Sequence, residues 1–369
     1  MHALPPVPSL SLPQFGKPLR RRDAEHAEHV TAPARGPLVD QFGRMVRDLR
    51  LSITDRCNFR CTYCLAPDAR FLPSDERLTT AELIRVGKLF ARLGVERLRV
   101  TGGEPSTHPD LVEILSELSP LFQDVSMTTN GSLLDERTAR QWRGAGLRRV
   151  TISIDSLDEE RFRAISRTNS NPTRVLAGVR AAIAAGLGPV NVNSVLLAGV
   201  NDSDAPALAE LARELALEVR FIEFMPLDAE RMWSDDCVVP SDRTIQRISK
   251  HFPLVLEGRD RPDRTALRYR FADGAAGSVS TIAPVSEPFC GECSRVRVTA
   301  DGFVRPCLLT NAEWPLRALL RAHASDEAVE AMIRQAVWNK DAGGAYRMQP
   351  HDEALSVAQR ARTMSAIGG

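Results

Sequence analysis

The stretch Asp55-Arg56-Cys57-Asn58-Phe59-Arg60-Cys61-Thr62-Tyr63-Cys64 sets three cysteines at CxxxCxxC spacing. Thiolates are soft ligands that suit iron–sulfur clusters and zinc. A cubic four-iron cluster takes one ligand per iron, so three cysteines leave one iron open to bind and act on another molecule. The competing reading is a structural zinc knuckle. Such sites close at four ligands, and no fourth Cys or His lies in this loop. The spacing favours the open iron–sulfur site and leaves zinc as the alternative.

Outward from the loop, the pattern is regular. Residues 48–54 read as a strand that runs into the cysteines. Residues 80–93 read as a helix, with Leu83, Ile84, Val86, Leu89, Phe90 and Leu93 at helical spacing, Thr79 or Thr80 as N-cap and Gly94 as C-cap. Strands are predicted at 96–101, 125–129, 149–155, 190–197 and 218–224, and helices at 110–121, 136–144, 173–185 and 205–216. Six strands alternating with helices imply a parallel sheet with helical crossovers. Six units fall short of a closed eight-stranded barrel, so the α/β fold expected is a partial (βα)6 TIM-like barrel whose gap a further element covers. Chemistry in such folds sits at the C-terminal strand ends. The cysteine loop, Gly102-Gly103-Glu104-Pro105, Asn130-Gly131, Ser153-Ile154-Asp155 and Met225-Pro226 all fall there.

After Pro226 the character changes to an α+β segment. A helix is predicted at 241–251 and strands at 265–271 and 278–282. A hairpin follows over 294–299 and 303–307 around Asp301-Gly302, then helices near 314–322 and 326–339. This segment carries a second triad, Cys290, Cys293 and Cys307, with Arg295 and Arg297 alternating on one strand and so facing one side. Zinc with a distant fourth ligand is the alternative for this triad, and a solvated strand face for the two arginines. Together they suit an open cluster beside an anionic substrate.

The chain has 369 residues, 43% hydrophobic and 26% charged, with a net charge of +1. That balance gives no global pull toward nucleic acid or membrane, so an anion site must come from a local arginine cluster. No apolar run approaches a membrane span. Two triads among seven cysteines fit ligand clusters in a reducing cytoplasm better than a disulfide framework, and leave Cys237 as an incidental thiol. Residues 1–37, rich in proline and without apolar periodicity, read as a disordered extension. Arg20-Arg21-Arg22 leads into Asp23-Ala24-Glu25-His26, which argues against an export signal. The expected division is 1–37, a barrel over 38–226, and a C-terminal segment over 227–369.

CxxxCxxC with an aromatic residue before the last cysteine, then Gly-Gly-Glu-Pro at the next strand end, resembles the radical S-adenosylmethionine enzymes. Within them the chain resembles the GTP 3′,8-cyclase family of molybdenum cofactor biosynthesis. That likeness rests on residues 49–61, Arg220-Phe221-Ile222-Glu223-Phe224-Met225, the second triad with Asp301-Gly302, and the terminal Gly368-Gly369. The resemblance implies two [4Fe-4S] clusters, one on Cys57, Cys61 and Cys64 and one on Cys290, Cys293 and Cys307. It implies S-adenosylmethionine on Tyr63, Gly103, Ser153 and Met225, and GTP on Arg50, Arg99, Thr128, Arg295 and Arg297. Its chemistry runs through a 5′-deoxyadenosyl radical that takes hydrogen from the ribose 3′ carbon, after which that carbon attacks guanine carbon 8. The di-glycine tail, Gly368 and Gly369, is expected to enter the active site and assist. A homodimer, an electron donor and a downstream pterin synthase are the expected partners.

Three positions depart from the family pattern. Asn191, expected as a further GTP-binding position, stands where a phosphate-binding lysine is usual. Ser106-Thr107-His108 follows Gly-Gly-Glu-Pro in place of two aliphatic residues and an arginine, and His108 reads as a loop residue. Cys64-Leu65-Ala66-Pro67 replaces Cys-Met-Pro. Two other functions compete: a radical S-adenosylmethionine peptide-modifying enzyme with an auxiliary cluster, and a non-enzymatic iron–sulfur redox or regulatory protein. The first often carries more C-terminal cysteines than the three here; the second predicts clusters without cofactor cleavage.

Overall fold

A computed structural model describes residues 31–343 and 362–368. Six parallel strands are laid down in sequence order: β1 (Asp48–Ser52), β2 (Arg97–Thr101), β3 (Asp124–Thr129), β4 (Arg149–Ser153), β5 (Asn191–Leu196) and β6 (Glu218–Glu223). Helices α1 (Thr80–Arg92), α2 (Leu111–Leu118), α3 (Glu136–Gly144), α4 (Glu159–Ser166), α5 (Pro172–Ala184) and α6 (Ala205–Glu214) cross between them. In α1 the periodicity has its physical basis on one face, where Leu83, Val86, Leu89 and Phe90 are buried. Thr79 caps that helix in a reciprocal box with Glu82, and Gly94 follows its end at φ +85°.

The C-terminal half does more than cover a gap. It contributes α7 (Ser241–Ser249), strands β7 (Leu254–Gly258), β8 (Leu267–Phe271) and β9 (Ser278–Ile282), then β10 (Arg295–Val298), β11 (Phe303–Arg305) and β12 (Trp314–Pro315), and finally α8 (Leu316–Arg321) and α9 (Asp326–Trp338). Strand β9 joins β6 in parallel and β10 joins β1 in parallel. Eight parallel strands therefore stand side by side in the order β10-β1-β2-β3-β4-β5-β6-β9, with antiparallel strands beyond each edge. The segment 283–294 connects the two outer parallel strands.

Strands buried on both faces usually read as continuous apolar runs. Here they alternate. Leu49, Leu51, Leu98, Val100, Val125, Met127, Val150, Ile152, Val192, Val219, Phe221, Val296 and Val298 are buried, and belong to the main apolar core. The opposite set includes Arg50, Arg99, Ser126, Thr128, Ser153, Asn193, Arg220 and Arg297, and these line an internal cavity. The strands thus curve around a chamber with arginines, serines and threonines on its wall beside apolar side chains such as Val195 and Ile222, unlike the packed apolar interior of a closed TIM barrel.

Three elements lie outside the sequence expectations, one of them the short strand β12, where the helix expected near 314–322 begins only at Leu316. Helix α4 is short and charged, held by Asp158, whose side chain accepts the Arg161 N–H at its N-cap. Strand β7 is a largely exposed partner of β8. The first 30 residues of the Pro-rich extension are outside the described residues; at its end, Ala32 N–H donates to Gln335 Oε1 at 3.3 Å and Arg334 donates to Gly36 O at 3.0 Å. No described helix is long and apolar enough to cross a membrane.

Candidate functional site

The first triad hangs over the C-terminal end of β1, with Cys57, Cys61 and Cys64 each half-buried. The N–H groups of Cys64 and Leu65 both return to Cys61 O, at 2.9 and 3.0 Å, which turns the chain tightly between the last two cysteines. Under this loop passes Gly102-Gly103. Gly103 N–H donates to Thr54 O and Glu104 N–H to Arg56 O, both at 2.7 Å. A Cβ on Gly103 would sit 2.3 Å from Arg56 O, a backbone atom that cannot swing away. Gly103 itself does not line the cavity; it lets two loops pack backbone to backbone. Gly103→Ala is therefore expected to displace the cysteine loop and lower both iron incorporation and S-adenosylmethionine binding by at least tenfold. Iron assay and equilibrium dialysis on the anaerobically reconstituted protein measure both.

Glu104 is a hub. Buried, it accepts from Ser106 N–H at 3.0 Å, Ser106 Oγ at 2.6 Å, Thr129 Oγ1 at 2.7 Å and Asn130 N–H at 2.6 Å. Asn130 then donates to Asn58 Oδ1 at 2.8 Å, which ties this hub to the cysteine loop. Tyr63 is pinned by its hydroxyl, which donates to Asp155 Oδ2 at 2.7 Å, while Asp155 Oδ1 accepts Val195 N–H at 2.8 Å. Burial pushes the Asp155 carboxyl up to about 6, against those two hydrogen bonds. His108 is a loop residue whose Nδ1 accepts Asp110 N–H at 3.1 Å. Cys237 lies 3.3 Å from Ser234 Oγ.

Below the triad lies a cavity of about 310 Å³, in the range of ligand pockets. Tyr63, Ser153 and Met225 line it with Arg50, Arg99, Thr128, Arg295, Arg297 and the second triad. Strand register sets Arg297 beside Arg50, and Arg50 beside Arg99, on adjacent parallel strands. Among the described residues neither Arg50 nor Arg99 makes a hydrogen bond or ion pair. Burial, then Arg297 and Arg295, push Arg50 well below the ordinary arginine range; burial, then Arg50, Arg149 and Arg220, do the same to Arg99. Arg297 falls to about 9 through burial and the neighbouring Arg295.

The second triad sits by the opposite end of the strands, since Arg295, two residues after Cys293, pairs with Asp48 at the start of β1. Several residues that sequence reasoning missed build this end. Lys340, 2% exposed, donates to Cys293 O at 2.9 Å, Cys293 Sγ at 3.3 Å and Arg295 O at 2.8 Å. Arg44 donates to Cys290 O and Ala342 O, both at 2.9 Å, and is fixed by Asp40 at 2.5 Å. Burial alone would push the Cys293 thiol up, but Arg295 and Lys340 overturn this and hold it at about 5, in the thiolate range. At the first triad burial dominates, raising Cys57 to about 11 and Cys64 to about 12.

The C-terminal segment 362–368 passes between the two ends. Arg362 bonds Asp301 Oδ1 at 3.1 Å and Glu313 Oε2 at 2.9 Å. Ser365 hydrogen-bonds Cys64, Ile367 is fully buried, and Gly368 O accepts from Arg297 Nη1 at 2.6 Å. Gly368 adopts φ +70°, with room for no side chain against Ser52 Oγ. Gly369 lies outside the described residues. Asn191 is not on the main cavity; it faces an adjoining opening, its side-chain atoms buried without partners.

Each triad offers three soft donors and no carboxylate. Among the described residues no group of three His, Cys, Asp or Glu is gathered to hold a single ion. Three soft sulfur donors with no hard oxygen donor among them suit iron–sulfur chemistry.

Comparison with known proteins places this geometry. The Radical SAM superfamily model matches residues 51–212, and the Molybdenum Cofactor Synthesis C model matches residues 217–346. The chain is 44% identical over 345 residues to a GTP 3′,8-cyclase of Mycolicibacterium smegmatis, covering 92% of this chain and 93% of that one. It is 41% identical over 355 residues to the Streptomyces coelicolor GTP 3′,8-cyclase, with 95% and 100% covered. In fold it is similar to Streptococcus suis SuiB bound to S-adenosylmethionine (TM-score 0.58, 13% identity, 78% of this chain and 68% of that chain). It is likewise similar to native anSMEcpe with bound AdoMet (TM-score 0.52, 15% identity, 82% and 84%).

Proposed function

This chain belongs to the GTP 3′,8-cyclase family of radical S-adenosylmethionine enzymes, and from that premise we propose how its residues divide the work of cyclising GTP to 3′,8-cyclo-7,8-dihydro-GTP for molybdenum cofactor biosynthesis. A [4Fe-4S] cluster on Cys57, Cys61 and Cys64, with S-adenosylmethionine, supplies one-electron hydrogen abstraction when bound. A second cluster is held by Cys290, Cys293 and Cys307, with Lys340 and Arg295 favouring the Cys293 thiolate. Tyr63, Ser153 and Met225 hold S-adenosylmethionine at the upper end of the chamber, and Gly103 shapes the loop above it. Arg50, Arg99, Thr128, Arg295 and Arg297 hold GTP below.

One observation carries this reading: Arg50 and Arg99, half-buried neighbours on the chamber wall, make no ion pair or hydrogen bond among the described residues. Burying an unpaired charge is expensive, and removing one partner of a buried pair costs about 3–5 kcal/mol. A triphosphate between them returns that cost as binding energy. Gly368, whose carbonyl accepts from Arg297, and Arg362, which bonds Asp301 and Glu313, moor the described end of the tail, from which the terminal glycines would assist the reaction at the ribose. A homodimer, an external electron donor and a pterin synthase downstream complete the expected partners, in the reducing cytoplasm that exposed clusters require.

Incubation of reduced, reconstituted protein with S-adenosylmethionine and GTP tests the assignment. GTP-dependent 5′-deoxyadenosine and a cyclised nucleotide are expected; cofactor cleavage indifferent to GTP would sink it.

A further inference from the structure

The turn Arg261-Pro262-Asp263-Arg264 joins β7 to β8 and is closed by Arg264 N–H to Arg261 O at 3.0 Å, with proline at its second position. Asp263 anchors it inward. Its carboxylate takes a charge-assisted bond from Arg97, bonds Arg261 Nε at 3.0 Å, and meets Ser294 Oγ at 3.3 Å. Thus anchored, the turn delivers Arg264 to the wall of the main cavity and of the adjoining opening, of about 920 Å³, that contains Asn191.

Five arginines lining this junction have carboxylate partners. Arg97 pairs with Asp48 and Asp263, Arg149 with Asp124, Arg220 with Glu218, Arg261 with Asp263 and Arg268 with Glu257. Arg264 has no carboxylate partner among the described residues, and its Nε is buried without a hydrogen bond. Burial and the guanidiniums of Arg149, Arg261, Arg220 and Arg97 all work against its charge. Asn191 brings no charge of its own. A half-buried cation among other cations, with no ion pair of its own, is a ready partner for an anion.

We propose that Arg264 is a further substrate-binding residue, which grips the polyphosphate chain of the nucleotide at the junction of the chamber and the opening beside Asn191. The proposal rests on the reading of GTP as substrate. Arg264 reaches the chamber wall from the β7–β8 turn, while Arg50 and Arg297 come from the adjacent strands β1 and β10, so the two groups can share one polyphosphate chain.

Binding of GTP, guanosine and inorganic tripolyphosphate to the reconstituted protein, its Arg264→Ala variant and its Arg264→Lys variant tests it. For Arg264→Ala we expect GTP and tripolyphosphate affinity to fall at least tenfold, guanosine affinity and melting temperature to stay put, and S-adenosylmethionine cleavage without GTP to persist. Arg264→Lys should recover part of the loss. GTP and tripolyphosphate affinities within twofold of wild type, or an equal loss for guanosine and GTP, overturn the proposal. Wild-type protein that binds tripolyphosphate through Arg264 but not GTP would overturn the substrate reading and leave the anion site standing; wild type that binds neither overturns both.

Discussion

Replacing Cys57 with serine is expected to abolish S-adenosylmethionine cleavage. A serine hydroxyl is a hard, poorly acidic donor and does not replace a thiolate on iron. The other two ligands cannot compensate, because Cys61 and Cys64 lie in one tight turn fixed by the hydrogen bonds to Cys61 O. The second triad is built from other strands and keeps its support from Lys340 and Arg44. Anaerobically reconstituted wild type should carry about eight irons per chain, and Cys57→Ser about four. Turnover to 5′-deoxyadenosine should then fall to background. A variant with full iron content and undiminished cleavage would refute the ligand assignment.

Arg297→Ala should be the next most damaging change. Its guanidinium sits beside Arg50 in register and also holds Gly368 O at 2.6 Å. The alanine variant loses a buried charge facing the substrate and one mooring of the tail together. Removing one side of a buried, hydrogen-bonded charge pair costs about 2–5 kcal/mol, or roughly 30- to 5,000-fold in Kd. GTP binding should weaken on that scale, while cleavage of S-adenosylmethionine without GTP persists, since Arg297 does not touch the first triad. Arg297→Lys retains charge but loses the planar fork, and should restore only part of the affinity. Unchanged GTP affinity in Arg297→Ala would remove this residue from the binding set.

The fold was legible because its signals are local. Helix α1 declares itself through Thr79, Glu82 and the Leu83–Phe90 face, and the βα alternation follows from short segments of that kind. The exceptions share a cause. Helix α4 is eight residues long with two buried hydrophobic positions, Phe162 and Ile165, too few for a clear period. Strand β7 is an exposed edge, where burial writes no alternation into the sequence. At the site, the triads and Arg295 with Arg297 were visible because neighbours in sequence act together. Lys340 and Arg44 were not, because they meet the second triad across 47 and 246 residues, and Arg264 was not, because nothing in its own turn marks the cavity it reaches. One further clue was on the page: in Asp48-Leu49-Arg50-Leu51-Ser52 every second residue is polar, which a sheet covered on both faces does not need unless its inner face surrounds a polar ligand.

The placement of β9 and β10 has a consequence for any attempt to divide this protein. The join near residue 226 is a change in sequence character, yet strands from beyond it clothe both flanks of the first six. A fragment ending there would present β1 and β6 with their lateral backbone donors and acceptors bare, two sticky margins ready to zip onto other copies. The second half works as a clasp fastened at both sides of the first, and the two must be made, folded and inherited as one piece.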